Sequence, residues 1–180
     1  MINREVEQKC LKLFKKFPVL TITGPRQSGK TTLAKKLFPQ KKYISLEDPD
    51  KRSYAINDPR GFLSNYPDGA ILDEIQRTPE IVSYLQGIVD QSKNTGMFVL
   101  TGSQQLEISQ SISQSLAGRT ALVKLLPLSL KELQSYKNTN NIDQILLDGF
   151  YPGLYQNKIS PDDFFMTYFE TKTLVLQETV

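Results

Sequence analysis

The segment Gly24–Thr31, which reads GPRQSGKT, is the feature that most constrains how this chain folds. It matches the pattern G-x-x-x-x-G-K-[ST] at every fixed position. A short β-favouring run, Val19–Thr23, precedes it, and an apolar pattern at helical spacing follows it until Pro39. A strand that leads through glycines into a helix is typical of a phosphate-binding P-loop, and a plain glycine turn is the alternative.

The residue types in this segment suit phosphate recognition. Glycines let backbone N–H groups approach anionic oxygens, and the following helix offers its positive N-terminus. Lys30 would place its ammonium on the β- and γ-phosphates of a nucleotide, and the Thr31 hydroxyl would hold Mg²⁺. The predicted nucleotide contacts are Gly24, Pro25, Arg26, Gln27, Ser28, Gly29, Lys30, Thr31 and Thr32.

A second informative segment, Gly69–Glu74, reads GAILDE. An apolar run that ends in two acids predicts a buried parallel strand whose carboxyl end carries functional groups. Asp73 would bind Mg²⁺, usually through water, and Glu74 would orient and polarise an attacking water. The pattern is weak alone, but roughly forty residues after a complete P-loop it indicates a Walker B strand, because phosphoryl transfer needs both parts.

A further strand, Met97–Leu100, is predicted to deliver Thr101–Gln104 to the same sheet edge. Ser103 could there sense the γ-phosphate or hold the water, and a simple helix cap is the alternative. A Ser/Gln-rich helix is predicted to follow, and Thr120–Leu126 reads as a fifth strand. The chain from Ser129 onward is mostly helical by its capping signals.

Composition narrows the chemistry. The 180 residues contain no histidine and one cysteine, so His-based general base catalysis and the usual zinc ligand sets are excluded. Cys10 is predicted to be a small core residue. The charged N-terminus and the lack of a long apolar run predict neither a secretion signal nor a membrane span, which makes the cytoplasm the default compartment.

The charge pattern leaves the question of nucleic acid open. The net charge is +3, which permits an anionic partner such as DNA but equally fits an ordinary solvated surface. The predicted first helix carries basic residues on one face. These are Lys9, Lys12, Lys15 and Lys16. They could contact nucleic-acid phosphates, although such a face is usually only solvated.

Together the segments GPRQSGKTTL, YISLEDPDKR, DPRGFL, GAILDEIQR, FVLTGSQQ and SLAGRTA resemble the AAA+ ATPase core of a widespread family of bacterial and archaeal ATPases. Members of that family carry a long C-terminal domain of unknown function. The resemblance spans roughly Leu20 to Leu133. It implies an α/β P-loop NTPase fold of the additional-strand type, with a five-stranded, mainly parallel sheet flanked by helices and one strand between the P-loop and Walker B strands. Residues 1–128 would form this core, and residues 129–180 a helical extension.

The resemblance also implies roles for single residues. Ser103 matches sensor 1, and Arg119 resembles the arginine finger that reaches a neighbouring subunit, which implies a homo-oligomer. From the residues alone Arg119 is an exposed cation. Arg26 and Arg77 are further family-like positions without a derived role. After Tyr168–Thr171 the sequence departs from the family pattern, so a truncated or frame-shifted chain is expected.

The leading hypothesis is therefore a Mg²⁺-dependent ATPase that acts as a motor or switch. A nucleotide-binding regulatory module with little turnover is the alternative. A small-molecule kinase is another protein class that uses a P-loop, but it does not need an Asp-Glu pair to activate water, so Glu74 counts against this function. A GTPase would carry Asn-Lys-x-Asp, and the one candidate, Asn157–Ser160, lacks the Asp.

Overall fold

The computed structural model describes residues 2–103, 115–136, 141–157 and 159–177. Its centre is a five-stranded sheet in the order β2-β3-β4-β1-β5, and every pairing is parallel. The strands are β1 (Val19–Gly24), β2 (Lys42–Ser45), β3 (Ala70–Asp73), β4 (Phe98–Ser103) and β5 (Thr120–Lys124). Because β4 lies between β1 and β3, the predicted additional-strand fold is confirmed.

Helices cover both faces of the sheet and make up the C-terminal part. They are α1 (Glu7–Phe14), α2 (Lys30–Leu37), α3 (Pro49–Asn57), α4 (Pro59–Ser64), α5 (Ile81–Ser92), α6 (Leu130–Tyr136), α7 (Ile142–Asp148), α8 (Pro152–Gln156) and α9 (Pro161–Gln177), with a 3₁₀ turn at Ile75–Arg77. None of the described helices combines the length and the apolar character needed to cross a membrane. The predicted Ser/Gln-rich helix falls mostly on 104–114, outside the described residues.

The three central strands of the sheet, β3, β4 and β1, are buried on both faces, which explains why they read as continuous apolar runs. Successive residues of a strand point to opposite faces of the sheet, and each face packs in its own hydrophobic core. Leu72 and Leu100 pack with the residues of α4 and α5. Ile71 and Val99 pack with those of α1 and α2, where Cys10 is fully buried as predicted. Burial raises the pKa of the Cys10 thiol to about 11.

The described residues form two compact units. The first is Glu5–Leu126, and the second combines residues from 1–4 with residues from 127–180. In the second unit Arg4 Nε donates to Glu132 Oε2 over 3.0 Å, and both side chains are buried. Glu132 also accepts from the Ser129 backbone N–H at 2.9 Å, which confirms a predicted capping signal. The boundary after residue 128 stays a prediction.

Gly69, just before β3, adopts φ = +80°, and a Cβ at this position would lie 1.9 Å from the Met97 carbonyl oxygen. A left-handed alanine costs about 1–2 kcal/mol before the clash is counted. We expect Gly69→Ala to lower the midpoint of urea unfolding, followed by circular dichroism, by an amount that corresponds to at least this cost.

Gly87→Ala is the matched control, because Gly87 lies inside α5 and a Cβ there would meet nothing within 4 Å. It should raise the free energy of unfolding by up to about 1 kcal/mol, since glycine is a poor helix former. Equal unfolding midpoints for the two variants would contradict the packing described for Gly69.

Candidate functional site

The carboxyl ends of β1, β3 and β4 meet at one edge of the sheet. Gly24, Asp73 and Ser103 are the last residues of these strands, and Gly24 lies directly opposite Ser103 in the strand register. β4 continues past its predicted end at Leu100 because its pairing with β1 continues to Gly24. In open parallel sheets this edge is where ligands bind. The structure therefore brings the predicted P-loop, Walker B and sensor residues together.

The loop after β1 turns directly into α2. Gly29 caps the helix in the left-handed conformation, with φ = 91° and ψ = 23°, which a residue with a Cβ adopts only with strain. Gln27 has φ = 59°, so the backbone reverses its curvature within a few residues. Such turns aim consecutive N–H groups inward and create an anion-binding concavity at the N-terminus of the helix.

Lys30 lies inside this loop and is only 5% exposed. Its Nζ donates to the carbonyl oxygens of Gly24 (3.1 Å) and Pro25 (2.8 Å). Burial lowers the pKa of Lys30, and the carboxylates of Glu74 and Asp73 oppose that shift. A buried ammonium held mainly by neutral carbonyls lacks a full counter-charge, and a phosphate in the loop would supply one.

Thr31 and Asp73 form the second half of the site. Thr31 Oγ1 donates to Asp73 Oδ1 at 2.9 Å and lies 3.1 Å from Oδ2, and the Asp73 side chain is buried. A hydroxyl and a carboxylate are oxygen ligands of the kind that Mg²⁺ takes, and this ion usually completes its shell with waters and nucleotide phosphates. The donor set at this position fits a magnesium ion.

Two further hydroxyls contact Asp73, and the sequence did not reveal them. Tyr43 OH on β2 donates to Oδ2 at 2.8 Å, and Thr101 Oγ1 on β4 donates to Oδ1. Partial burial, followed by the hydrogen bond to Asp73, raises the pKa of Tyr43 to about 12. The strand register could have located both residues, because Tyr43 lies opposite Ile71 and therefore shares a face with Asp73.

Glu74 follows β3 in the left-handed conformation, with φ = 57° and ψ = 48°. Gln76 Nε2, from the 3₁₀ turn that follows, donates to Glu74 Oε2. Gln76 Oε1 is buried and has no hydrogen-bond partner among the described residues. The predicted water-activating carboxylate is thus held by a neighbouring amide that sequence reasoning missed.

The remaining predicted contacts are more peripheral. Arg26, Gln27 and Thr32 are exposed at the loop, whereas Ser28 is buried in it. The Arg26 charge is one of the smaller contributions that lower the pKa of Lys30. Arg26 is thus near enough to Lys30 to add positive charge at the phosphate site.

Arg119 lies at the opposite end of the strands, where their amino ends meet. The Arg119 backbone carbonyl accepts a hydrogen bond from Val19 N, at the start of β1. The phosphate loop begins at Gly24, at the other end of this strand. At about 3.3 Å per residue, the two ends of β1 are roughly 16 Å apart. The Arg119 guanidinium makes a bidentate pair with Asp90 of α5, with Nε–Oδ1 at 2.5 Å and Nη2–Oδ2 at 2.9 Å. The hydrogen bond to Asp90 raises the pKa of Arg119. The structure does not bring Arg119 to the phosphate loop of its own chain.

A parallel sheet with a glycine-bounded loop, a buried lysine and a threonine–aspartate pair at one edge defines a P-loop NTPase. A family model described as an AAA domain matches residues 16–134, which is more than half of the chain. The chain belongs to this AAA domain family, as the sequence resemblance implied, and the family supports nucleotide binding.

Similar sequences come from mycobacteria. The proteins named Uncharacterized protein Rv2008c of Mycobacterium tuberculosis and Uncharacterized protein Mb2031c of Mycobacterium bovis are each 29% identical over 163 residues. These residues are 89% of this chain and 36% of each relative. The chain thus spans about a third of the length of the curated relatives that it matches.

Similar folds occur in solved ATPase structures. The Walker-type ATPase of Pyrococcus abyssi superposes with a TM-score of 0.60 at 16% identity, covering 99% of this chain and 75% of that one. The AMPPCP-bound DnaA of Aquifex aeolicus gives 0.53 at 18% identity, covering 86% of this chain and 57% of that one. At these identities the likeness establishes the fold.

Lys30→Ala should weaken nucleotide binding by at least about tenfold, because a hydrogen bond to a charged group contributes about 1.5–3 kcal/mol. Isothermal titration with ATP measures this. Lys12→Ala removes the same charge from the exposed face of α1 and should bind like wild type. If the two variants lose affinity equally, general electrostatics and not the loop lysine would govern binding.

Proposed function

We propose that this chain binds ATP together with Mg²⁺ and hydrolyses it, as an AAA+ type domain that acts as a motor or switch. The observation that carries the proposal is the direct hydrogen bond between Thr31 of the phosphate loop and Asp73 of β3. It unites a phosphate-binding half and a metal-binding half into one site. Glu74 follows Asp73 directly in the sequence, and the charges of both carboxylates act on Lys30, which supports a role for Glu74 near the phosphate loop.

In this proposal the residues have distinct tasks. The loop amides and Lys30 bind the β- and γ-phosphates, and Thr31 with Asp73 holds the magnesium ion. When bound, the ion neutralises charge that develops on the phosphates. Glu74 accepts a hydrogen bond from the attacking water and orients it, once its carboxylate is free of Gln76. Ser103 senses the terminal phosphate in this proposal, and its pairing with Gly24 supports that role.

Two contacts favour the second candidate, a regulatory module with little turnover. Gln76 engages the Glu74 carboxylate, and Asp90 engages the Arg119 guanidinium. Both side chains would have to leave these partners before they could act on a nucleotide. Slow hydrolysis by the isolated chain is therefore expected, and phosphate release with and without DNA discriminates a competent ATPase from a nucleotide-binding switch.

Two kinds of partner are proposed, a second copy of this chain and DNA. Arg119 lies too far from its own loop, so we propose that it acts on the nucleotide of a neighbouring copy in a homo-oligomer. DNA is a weaker proposal. Its support is the exposure of Lys9, Lys12, Lys15 and Lys16 along and after α1. We also propose that the protein acts in the cytoplasm, because its proposed activity depends on ATP.

Glu74→Gln separates binding from chemistry. The amide keeps the size of the side chain and leaves Asp73 in place, so ATP affinity should stay within about twofold of wild type. Phosphate release should fall by at least about a hundredfold, because a positioned general base contributes about 10²–10⁴. Glu80→Gln, an exposed acid before α5, is the control. Wild-type turnover by Glu74→Gln would remove Glu74 from the mechanism.

Arg119 is tested by the dependence of specific activity on protein concentration. A finger supplied by a neighbour contributes about 10³–10⁵ in rate, so turnover per chain should rise with concentration in wild type and stay low in Arg119→Ala. Arg60→Ala removes an exposed arginine that contacts Tyr84 and should keep the wild-type profile. Concentration-independent turnover that survives Arg119→Ala would show that no neighbour contributes.

A further inference from the structure

The Asp73 carboxylate is held from three different elements of the fold. Thr31 of α2 and Thr101 of β4 donate to Oδ1, and Tyr43 of β2 donates to Oδ2. A carboxylate offers about four lone-pair positions. Three hydroxyl donors leave at least one of these for a metal-bound water.

Tyr43 is the least expected of the three donors. Its strand, β2, is the outer strand next to β3, and Tyr43 lies opposite Ile71, one side-chain repeat before Asp73 on the same face. The phenol therefore runs along the sheet and reaches the end of β3. Tyr43 as a whole is 38% exposed, so its position is not explained by burial in the core.

A second contact fixes the direction of the ring. Lys35 Nζ lies 3.4 Å from the centroid of the Tyr43 ring, within the range of a cation–π interaction. Lys35 follows Thr31 by one turn of α2, so both face the same side. The Tyr43 side chain consequently contacts Lys35 of α2 through its ring and Asp73 Oδ2 of β3 through its hydroxyl.

We propose that Tyr43 is a positioning residue for the magnesium site: its hydroxyl fixes the Asp73 carboxylate in the orientation that receives a metal-bound water. This rests on the proposed function. Donors on both oxygens hold the carboxylate against rotation about its Cβ–Cγ bond. Without Tyr43 the two remaining hydroxyls would both donate to Oδ1, and only the longer contact from Thr31 Oγ1, at 3.1 Å, would reach Oδ2. Hydrogen bonds from outside the ligand set commonly tune metal affinity in this way.

The test uses the full chain with Tyr43→Phe, which removes the hydroxyl but keeps the ring on Lys35. Mn²⁺ binding to the protein–AMPPCP complex, followed by electron paramagnetic resonance, should weaken by about tenfold or more. AMPPCP affinity in EDTA should be unchanged, because the phosphate loop is intact. Mn²⁺ binding is measured well below the thermal unfolding midpoint of each variant, because loss of a hydrogen bond to the buried Asp73 carboxylate lowers stability by itself. A loss of Mn²⁺ affinity with an unchanged AMPPCP affinity in EDTA then separates positioning from a structural role.

Tyr84→Phe is the matched control, because Tyr84 is 39% exposed and its ring contacts Arg60 away from the site. It should bind Mn²⁺ like wild type. Wild-type Mn²⁺ affinity in Tyr43→Phe would overturn the positioning role and leave the proposed function standing. If wild type bound AMPPCP equally with and without Mn²⁺, the proposed function would fail, and this inference with it.

Discussion

The hydrogen bond between Thr31 and Asp73 is the contact on which the rest of the site depends. It joins residues that are 42 positions apart in sequence, one at the start of α2 and one at the end of β3. A buried carboxylate is costly unless it is hydrogen-bonded. Asp73 meets this requirement through hydroxyls from α2, β2 and β4, so its position is tied to the packing of the whole sheet edge.

The parallel sheet makes this arrangement possible. Its central strands are covered on both faces, and the charged side chain of Asp73 lies at a strand end, where the carboxyl termini of β1, β3 and β4 converge. The same order separates two positive groups. Lys30 lies at the carboxyl edge with the phosphate loop, and Arg119 lies at the amino edge with Asp90. One chain thus carries the phosphate loop at the carboxyl end of the sheet and the Arg119–Asp90 pair at the amino end.

Much of the fold was predictable because its signals are local. The P-loop pattern, the apolar strands and the capping residues each occupy a few consecutive positions. The roles of Tyr43, Thr101 and Gln76 were not predictable, because they depend on strand register and on the left-handed turn at Glu74. Arg119 shows the same limit: only the family resemblance implied a role for it, and the distance from its own loop and the pair with Asp90 are tertiary facts.

The position of a bound metal ion can be measured in a crystal structure of the chain with Mn²⁺ and AMPPCP, from the anomalous scattering of the manganese. We expect one anomalous peak at the end of β3, within coordination distance of Thr31 Oγ1 and one water from Asp73. The nucleotide phosphates should lie in the loop against Lys30 Nζ. A manganese peak remote from Asp73, or a nucleotide whose phosphates lie outside the loop, would contradict the proposal that β1 and β3 carry two halves of one site.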